Sequence, residues 1–335
     1  VRPHAARTAE GSAGRVQAHP RRRHRRQTAA PPAGPMTDLA PLPSGPIRRV
    51  VFLGTPAMAV PPLRALVAAG VDVAHVVTRA DKRRGRGGEL SPSPVKQAAL
   101  ELGLSVSHAV DDVLDVACDL GVVVAYGALI KPHVLACVPM VNLHFSLLPR
   151  WRGAAPVERA LLAGDAETGV CLMRVDIGLD TGGVFDRRVM ALDVTTTADD
   201  VRRRLVADGT EMLLAACRQG LAPEVPQTGE AVYADKISPD DLRIDWTGSA
   251  DRAVRQTRVG GAWTTWNDKR FKIHDARASS SVGGEPGTCR VDDGRVMVNV
   301  GRDGLELLSV QPEGKSTMSA AAWANGARPD GTIFA

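Results

Sequence analysis

Asn142-Leu143-His144-Phe145-Ser146-Leu147-Leu148-Pro149-Arg150-Trp151-Arg152-Gly153 decides how this 335-residue chain is read. Its first four residues alternate polar and apolar, the signature of a half-buried strand. In a strand, residues i and i+2 face the same way. Asn142 and His144 therefore share one face, and Leu143 and Phe145 pack on the other. A Ser-Leu-Leu-Pro turn ends the strand at once. A histidine on a strand is more often structural than catalytic, but this one has company: a side-chain amide two residues away and a strand-end position. The next acidic, glycine-rich stretch is Asp176-Ile177-Gly178-Leu179-Asp180-Thr181-Gly182-Gly183. An amide donor, an imidazole able to act as acid or base near neutral pH and a carboxylate can move an acyl group between two amines. Asp and Gly also dominate ordinary turns. Spacing does not choose between Asp176 and Asp180.

Working outward, residues 48–54 read as a strand ending in a turn. Pro61 and Pro62 stand where a helix tolerates proline, and the helix they open runs to Ala69 with Gly70 as its stop. Strands follow at 71–77, at 122–126 (apolar throughout, as when both faces are covered) and at 141–145. Residues 155–163 read as a helix closed by Gly164, with strands near 170–175 and 184–192. Thr197 and Asp200 form a capping-box pattern for a helix bearing Val201, Leu205, Met212, Leu213 and Ala216, which stops near Gly220. The alternation predicts an α/β domain with an open, mostly parallel sheet, and such sheets bind ligands outside the carboxyl ends of their strands. Gly54-Thr55-Pro56 lacks the G-x-G-x-x-G spacing, which excludes a nicotinamide fingerprint. Residues 221–231 carry Pro223, Pro226 and Gly229 without a period and read as a linker. Short runs at 270–276, 296–300 and 305–310, separated by Asp293-Gly294 and Asp303-Gly304, predict a small antiparallel β-barrel.

Composition narrows the classes. The chain is 44% hydrophobic but only 4% aromatic, which predicts a sizeable, aliphatic core in two domains. Its five cysteines are odd in number, scattered and without a Cys-x-x-Cys pair. They suit neither a disulfide framework nor a zinc site, and they fit a reducing cytoplasm. No apolar run approaches a membrane span. The net charge of +5 is concentrated at one end. Residues 1–35 hold eight Arg and one Glu, leaving 34 basic and 36 acidic residues from Met36 onward. This arginine-rich stretch has no apolar period, and residues 1–46 are expected to be a disordered basic tail. A nucleic-acid-binding arm, a targeting peptide and a segment upstream of a true start at Met36 all account for it. Within the near-neutral body, Arg79, Lys82, Arg83, Arg84 and Arg86 crowd residues 78–88 with one acid, Asp81. That suits a flexible arm that meets phosphates, as well as a solvated loop.

The chain resembles the 10-formyltetrahydrofolate-dependent formyltransferases, from about Val50 onward. The resemblance rests on Phe52-Leu53-Gly54-Thr55-Pro56, Gly85-Arg86-Gly87, Pro92-Ser93-Pro94-Val95-Lys96, Val123-Val124-Ala125-Tyr126-Gly127, the opening run continued to Pro156, and 176–182. Tyr233-Ala234-Asp235-Lys236-Ile237, Arg243-Ile244-Asp245-Trp246 and Leu308-Ser309-Val310-Gln311-Pro312 narrow it to members that act on an aminoacylated tRNA. The resemblance implies a Rossmann-like catalytic domain at 47–220, a linker at 221–231 and an OB-like tRNA-binding barrel at 232–335. It places Asn142, His144 and Asp180 on the catalytic triad. Ser146, Leu147, Leu148 and Pro149 fall on the folate-binding turn, with Tyr126 and Gly127 also at the cofactor. Lys82, Arg83, Arg84 and Arg86 fall in the loop that reaches the tRNA acceptor stem. It implies formyl transfer from 10-formyltetrahydrofolate to the α-amino group of methionyl initiator tRNA for translation initiation, by a cytoplasmic monomer needing neither metal nor membrane. Two other functions compete: a formyltransferase for a small amine, which needs neither basic loop nor barrel, and a non-catalytic RNA-binding protein, expected to have lost a triad member. The chain departs from the family in three places. Gly88-Glu89 stands where further lysines are expected, the interval 107–122 is short for the family's helix, and Val259-Gly260-Gly261-Ala262-Trp263 lacks prolines.

Overall fold

The computed structural model of the chain describes Val1, residues 39–84 and residues 88–335. The first half places ten strands: β1 (Arg49–Gly54), β2 (Asp72–Val77), β3 (Lys82–Arg84), β4 (Glu89–Ser91), β5 (Val106–Ser107), β6 (Leu120–Val124), β7 (Met140–His144), β8 (Arg152–Gly153), β9 (Glu167–Arg174) and β10 (Val184–Ala191). Between and after them lie α1 (Val60–Ala68), α2 (Pro94–Glu101), α3 (Pro132–Leu135), α4 (Pro156–Ala163) and α5 (Ala198–Gln219). Seven strands form the central sheet in the order β10-β9-β7-β6-β1-β2-β5. Pairing is parallel from β7 to β5, while β9 and β10 add an antiparallel edge. The strand expected at 122–126 forms instead at Leu120–Val124 as β6, buried along its whole length beside β1, and the chain turns out of it at Ala125, whose φ is 47°.

The chain steps outward from β1 through β2 to β5, then crosses back to β6 on the other side of β1. The strand order therefore reverses between β1 and β6, and the ends of these strands splay around a crevice. Local chemistry sets the helices. The Thr197 hydroxyl accepts the Asp200 N–H while the Asp200 carboxylate accepts the Thr197 N–H, the reciprocal pattern read from sequence. The short interval after β5 holds a 3-10 turn, Val110–Asp115, in place of a longer helix. Val113 fills the layer from it, packing with Leu135 and Met140. Residues 39–46, expected within the tail, instead lie against the sheet. Ala40 is buried, its N–H donates to Leu135 O, and its carbonyl accepts from Arg174. The rest of the expected tail, apart from Val1, lies outside the described residues.

The second half holds β11 (Tyr233–Ala234), α6 (Ala250–Val259), β12 (Trp263–Trp266), β13 (Lys269–Ser279), β14 (Cys289–Asp292), β15 (Arg295–Val300), β16 (Asp303–Pro312), β17 (Met318–Ser319) and α7 (Ala320–Ala327). An antiparallel sheet runs β12-β13-β16-β15-β14. Residues 332–335 join its two edges. Thr265 and Ala335 exchange backbone hydrogen bonds at 2.9 and 3.0 Å, Cys289 N–H donates to Thr332 O, and Phe334 N–H donates to Gly287 O. The core is aliphatic here too, with Ile273, Val298, Val300 and Leu305 buried in it, and an aromatic cluster is set among them. Phe271 meets Trp323 and Phe334 at ring-centroid distances of 4.7 and 5.3 Å, with Trp246 and Trp266 beside them. Two arginines fasten the halves together. Arg159 of α4 pairs with Asp241 and donates to the carbonyls of Asp235 and Lys236. Arg258 of α6 donates to the carbonyls of Asp193 and Thr196. Among the described residues no helix is long and apolar enough to cross a membrane.

Candidate active site

Strand alternation holds at β7. Leu143 and Phe145 join the core, while Asn142 and His144 line a cleft of about 760 Å³ at the crevice. That volume is in the range of small-molecule and cofactor sites. His144 is 4% exposed, so its ring is held by protein rather than water. Its Nε2 lies 2.9 Å from Trp151 O, an acceptor, which assigns the proton on that nitrogen. Its Nδ1 stands 3.6 Å from Asp180 Oδ2, beyond hydrogen-bond range. Nδ1 is thus the ring edge open to a substrate.

Asp180 arrives from the loop between β9 and β10 with φ of 51°, in the left-handed region. Its Oδ2 accepts the Gly153 N–H at 2.8 Å. Gly153 itself sits at φ of 118°, and a Cβ there would lie 2.9 Å from Ala234 O, so only glycine fits. Ala125 and Trp151 also have positive φ, at 47° and 65°. Such conformations cost about 1–3 kcal/mol each and persist where surrounding structure over-determines them, often at functional sites. Asp176 lines the cleft too, but its Oδ1 accepts the N–H of Ile177. The structure brings Asp180, not Asp176, to His144.

Tyr126 and Gly127 follow β6 and line the cleft. Burial pushes the Tyr126 phenol above its ordinary pKa, partly offset by Arg79. The four turn residues, expected at the folate, do not themselves line the cleft. The Ser146 hydroxyl is buried and donates to Arg150 O, and Leu148 packs with Cys171 and Met173. Leu147 faces a second, smaller hollow with Arg150 and Asp165, and Pro149 accepts the Val232 N–H through its carbonyl. A tight turn spends its side chains on holding itself in place, which fixes the Trp151 carbonyl against His144. The basic segment forms a short hairpin in which Lys82, Arg83 and Arg84 of β3 pair with β4. Lys82 and Arg83 are exposed, and Arg83 donates to Gly88 O. Asp81, the acid of that segment, is paired with Lys96 at 2.7 Å. Arg86 lies outside the described residues. Among the described residues no group of three or more His, Cys, Asp or Glu is placed to hold a metal ion.

Sequence reasoning missed the residues that hold Asp180 in place. Gly153 acts through its backbone N–H, and Gln227 is 47 residues from the loop it touches. A half-buried polar residue inside an otherwise exposed linker is a signal that burial reveals and spacing does not.

An open α/β sheet whose strand-end cleft gathers an amide, an imidazole and a carboxylate, with an antiparallel domain behind it, defines a group-transfer enzyme. Two family matches specify the group: residues 48–217 match Formyl transferase, and residues 236–328 match Formyl transferase, C-terminal domain. The chain belongs to the formyltransferase family. It is 45% identical over 299 residues to methionyl-tRNA formyltransferase of Leifsonia xyli subsp. xyli, covering 83% of this chain and 97% of that one. It is 41% identical over 300 residues to methionyl-tRNA formyltransferase of Corynebacterium diphtheriae, covering 83% and 96%. Its fold is shared, at 15% identity and a TM-score of 0.59, with an N-formyltransferase from Helicobacter canadensis solved with folinic acid and dTDP-3-aminofucose, covering 79% and 99%.

Proposed function

We propose that the protein transfers the formyl group of 10-formyltetrahydrofolate to the α-amino group of methionyl initiator tRNA, and that Asn142, His144 and Asp180 carry the reaction. The observation that carries this reading is the convergence of these three side chains at one end of the cleft, in a chain with relatives at 41–45% identity that are methionyl-tRNA formyltransferases. A folate donor is supported by the cleft's size and its apolar wall at Tyr126, Leu129 and Ile130, and by the folinic acid bound to the Helicobacter canadensis protein.

The amine nitrogen attacks the formyl carbon, and its carbonyl oxygen becomes an oxyanion. The Asn142 amide donates to that oxyanion, with the Nδ1 edge of His144 beside it. Removing one such donor costs about 2.7–4 kcal/mol of barrier. As the new N–C bond forms, the amine gives up a proton, which Asp180 accepts through a water. The oxyanion then re-forms the formyl carbonyl as the N10–C bond breaks, and the proton held by Asp180 returns through the water to N10 as tetrahydrofolate leaves. Trp151 O keeps the proton on Nε2, so the ring presents Nδ1 throughout.

The exposed cations Lys82 and Arg83, with Arg84 and Arg86 in the same segment, supply sequence-independent attraction for the acceptor stem. The antiparallel domain is the second tRNA surface. Replacing Lys82 and Arg83 by Ala weakens tRNA use and lowers its salt dependence, and kinetics unchanged across salt concentrations would give the hairpin another role. The protein acts in the cytoplasm, where its five cysteines stay reduced, and as a monomer. The deciding assay combines purified protein, 10-formyltetrahydrofolate and charged initiator or elongator tRNA. Formylation of the initiator alone is expected. Equal use of a small amine such as an amino sugar nucleotide, or no transfer at all, would refute the proposal.

A further inference from the structure

Residues 222–230 are exposed with one exception, Gln227, which is half-buried. This segment is a strap between two segments that line the cleft, 176–180 and 152–154. On one side it is tied to the loop that carries Asp180. Val225 and Val184 exchange backbone hydrogen bonds at 2.8 and 3.0 Å, and Glu224 accepts the Gly183 N–H at 3.0 Å. On the other side it is tied to the segment that carries the His144 and Asp180 partners. Val232 O accepts the Arg152 N–H, and β11 pairs in parallel with β8.

Gln227 joins the two sides through one side chain. Its Nε2 donates to Asp180 O at 2.8 Å and to Gly182 O at 2.7 Å. Its Oε1 accepts from Arg152 Nε and Nη2 at 3.0 and 2.7 Å. A primary amide has two donor hydrogens and two acceptor lone pairs, and all four are used. A guanidinium only donates and a carbonyl only accepts, so the amide's orientation is unambiguous. The group it grips is the carbonyl of a residue in the left-handed region, which even Asp populates less than the right-handed one. Relaxation of that peptide would turn the Asp180 carboxylate away from Gly153 N–H and from His144.

We infer that Gln227 is a positioning residue for formyl transfer, acting through Asp180: it locks the left-handed Asp180 peptide to Arg152 and so aims the carboxylate at His144. This rests on the reading of Asp180 proposed above. A misplacement of about 1 Å can cost about 10²-fold in rate, which sets the size of the effect. The test is a double-variant cycle on the full chain: wild type, Gln227→Leu, Asp180→Asn and both together, assayed with 10-formyltetrahydrofolate and methionyl initiator tRNA. Gln227→Leu is expected to lower kcat by about 10²-fold with KM for the folate little changed, and to add nothing in the Asp180→Asn background. Gln227→Glu keeps the length and the Arg152 contact but cannot donate to the two carbonyls; it falls as far, and it serves in the same cycle should Gln227→Leu not fold. The ring nitrogen NMR shifts of His144 move in either Gln227 variant as they do in Asp180→Asn. Wild-type kcat in both Gln227 variants, or losses that multiply in the double variant, overturn the inference. Wild-type turnover in Asp180→Asn overturns the reading of the site itself.

Discussion

The two walls of the cleft are built in opposite ways. Asn142 and His144 stand on β7, an inner strand hydrogen-bonded to β6 on one side and β9 on the other. Their positions follow from the pleat, and their neighbours Leu143 and Phe145 are anchored in the aliphatic core. Asp180 stands on a loop in the left-handed region, which Asp tolerates better than most L-residues, flanked by exposed Ile177 and Leu179. Its position follows from long-range hydrogen bonds to Gly153 and Gln227. If the site is as proposed, the strand wall should fail only when its chemistry is removed, and the strapped wall also when a remote tie is cut.

The largest expected effect comes from attacking the strand wall's chemistry. Asn142→Ala and His144→Ala should each lower turnover by about 10²–10³-fold, with thermal unfolding near that of the parent. Full turnover in either purified variant would remove the catalytic assignment. Next comes the loop wall. Gly153→Ala puts a Cβ 2.9 Å from Ala234 O at a left-handed φ. It should destabilise the protein by about 1–3 kcal/mol and lower kcat by about tenfold or more as Asp180's donor shifts. A crystal structure of that variant with β8 and β11 still paired, and unchanged kcat, would break the contrast between the walls. The smallest effect is a control beneath the strand wall. Thr197→Ala removes the α5 cap and should cost about 1 kcal/mol of stability, read by denaturant unfolding, with turnover unchanged. A parallel loss of turnover would mean that the strand wall, too, depends on remote ties.

The contrast explains what was legible in the sequence. Alternation at 142–145 placed the amide and imidazole on one face because the period of a strand is fixed. The continuous apolar run at 122–126 placed a buried strand inside the sheet, two residues late at each end, and the Thr197–Asp200 pair placed the start of α5. The carboxylate was not legible from spacing, since Asp176 and Asp180 are equivalent until the backbone φ and the Gly153 N–H distinguish them. The Ser146–Pro149 turn pointed toward the cleft by its place in the chain, yet its side chains serve the turn itself, because a tight reversal has few other sources of hydrogen bonds and packing. The aromatic cluster of the antiparallel domain was hidden by an average. Five rings, Trp246, Trp266, Phe271, Trp323 and Phe334, meet in that one small core, while Phe52, Phe145 and Phe185 are spread through the parallel-sheet core.

The strap also has a consequence in time. A ribosome adds about 5–20 residues each second, and Gln227 follows Asp180 by 47 residues. A nascent chain ending near residue 220 already holds every strand of the central sheet, and with them Asn142 and His144. It does not yet hold Glu224, Val225 or Gln227. On the proposed reading of the site, the half-made polypeptide carries Asn142 and His144 on finished scaffolding while Asp180 has its Gly153 tie and still lacks its tie to Gln227. Full competence would then come late, when the stretch leading into the second domain meets the first.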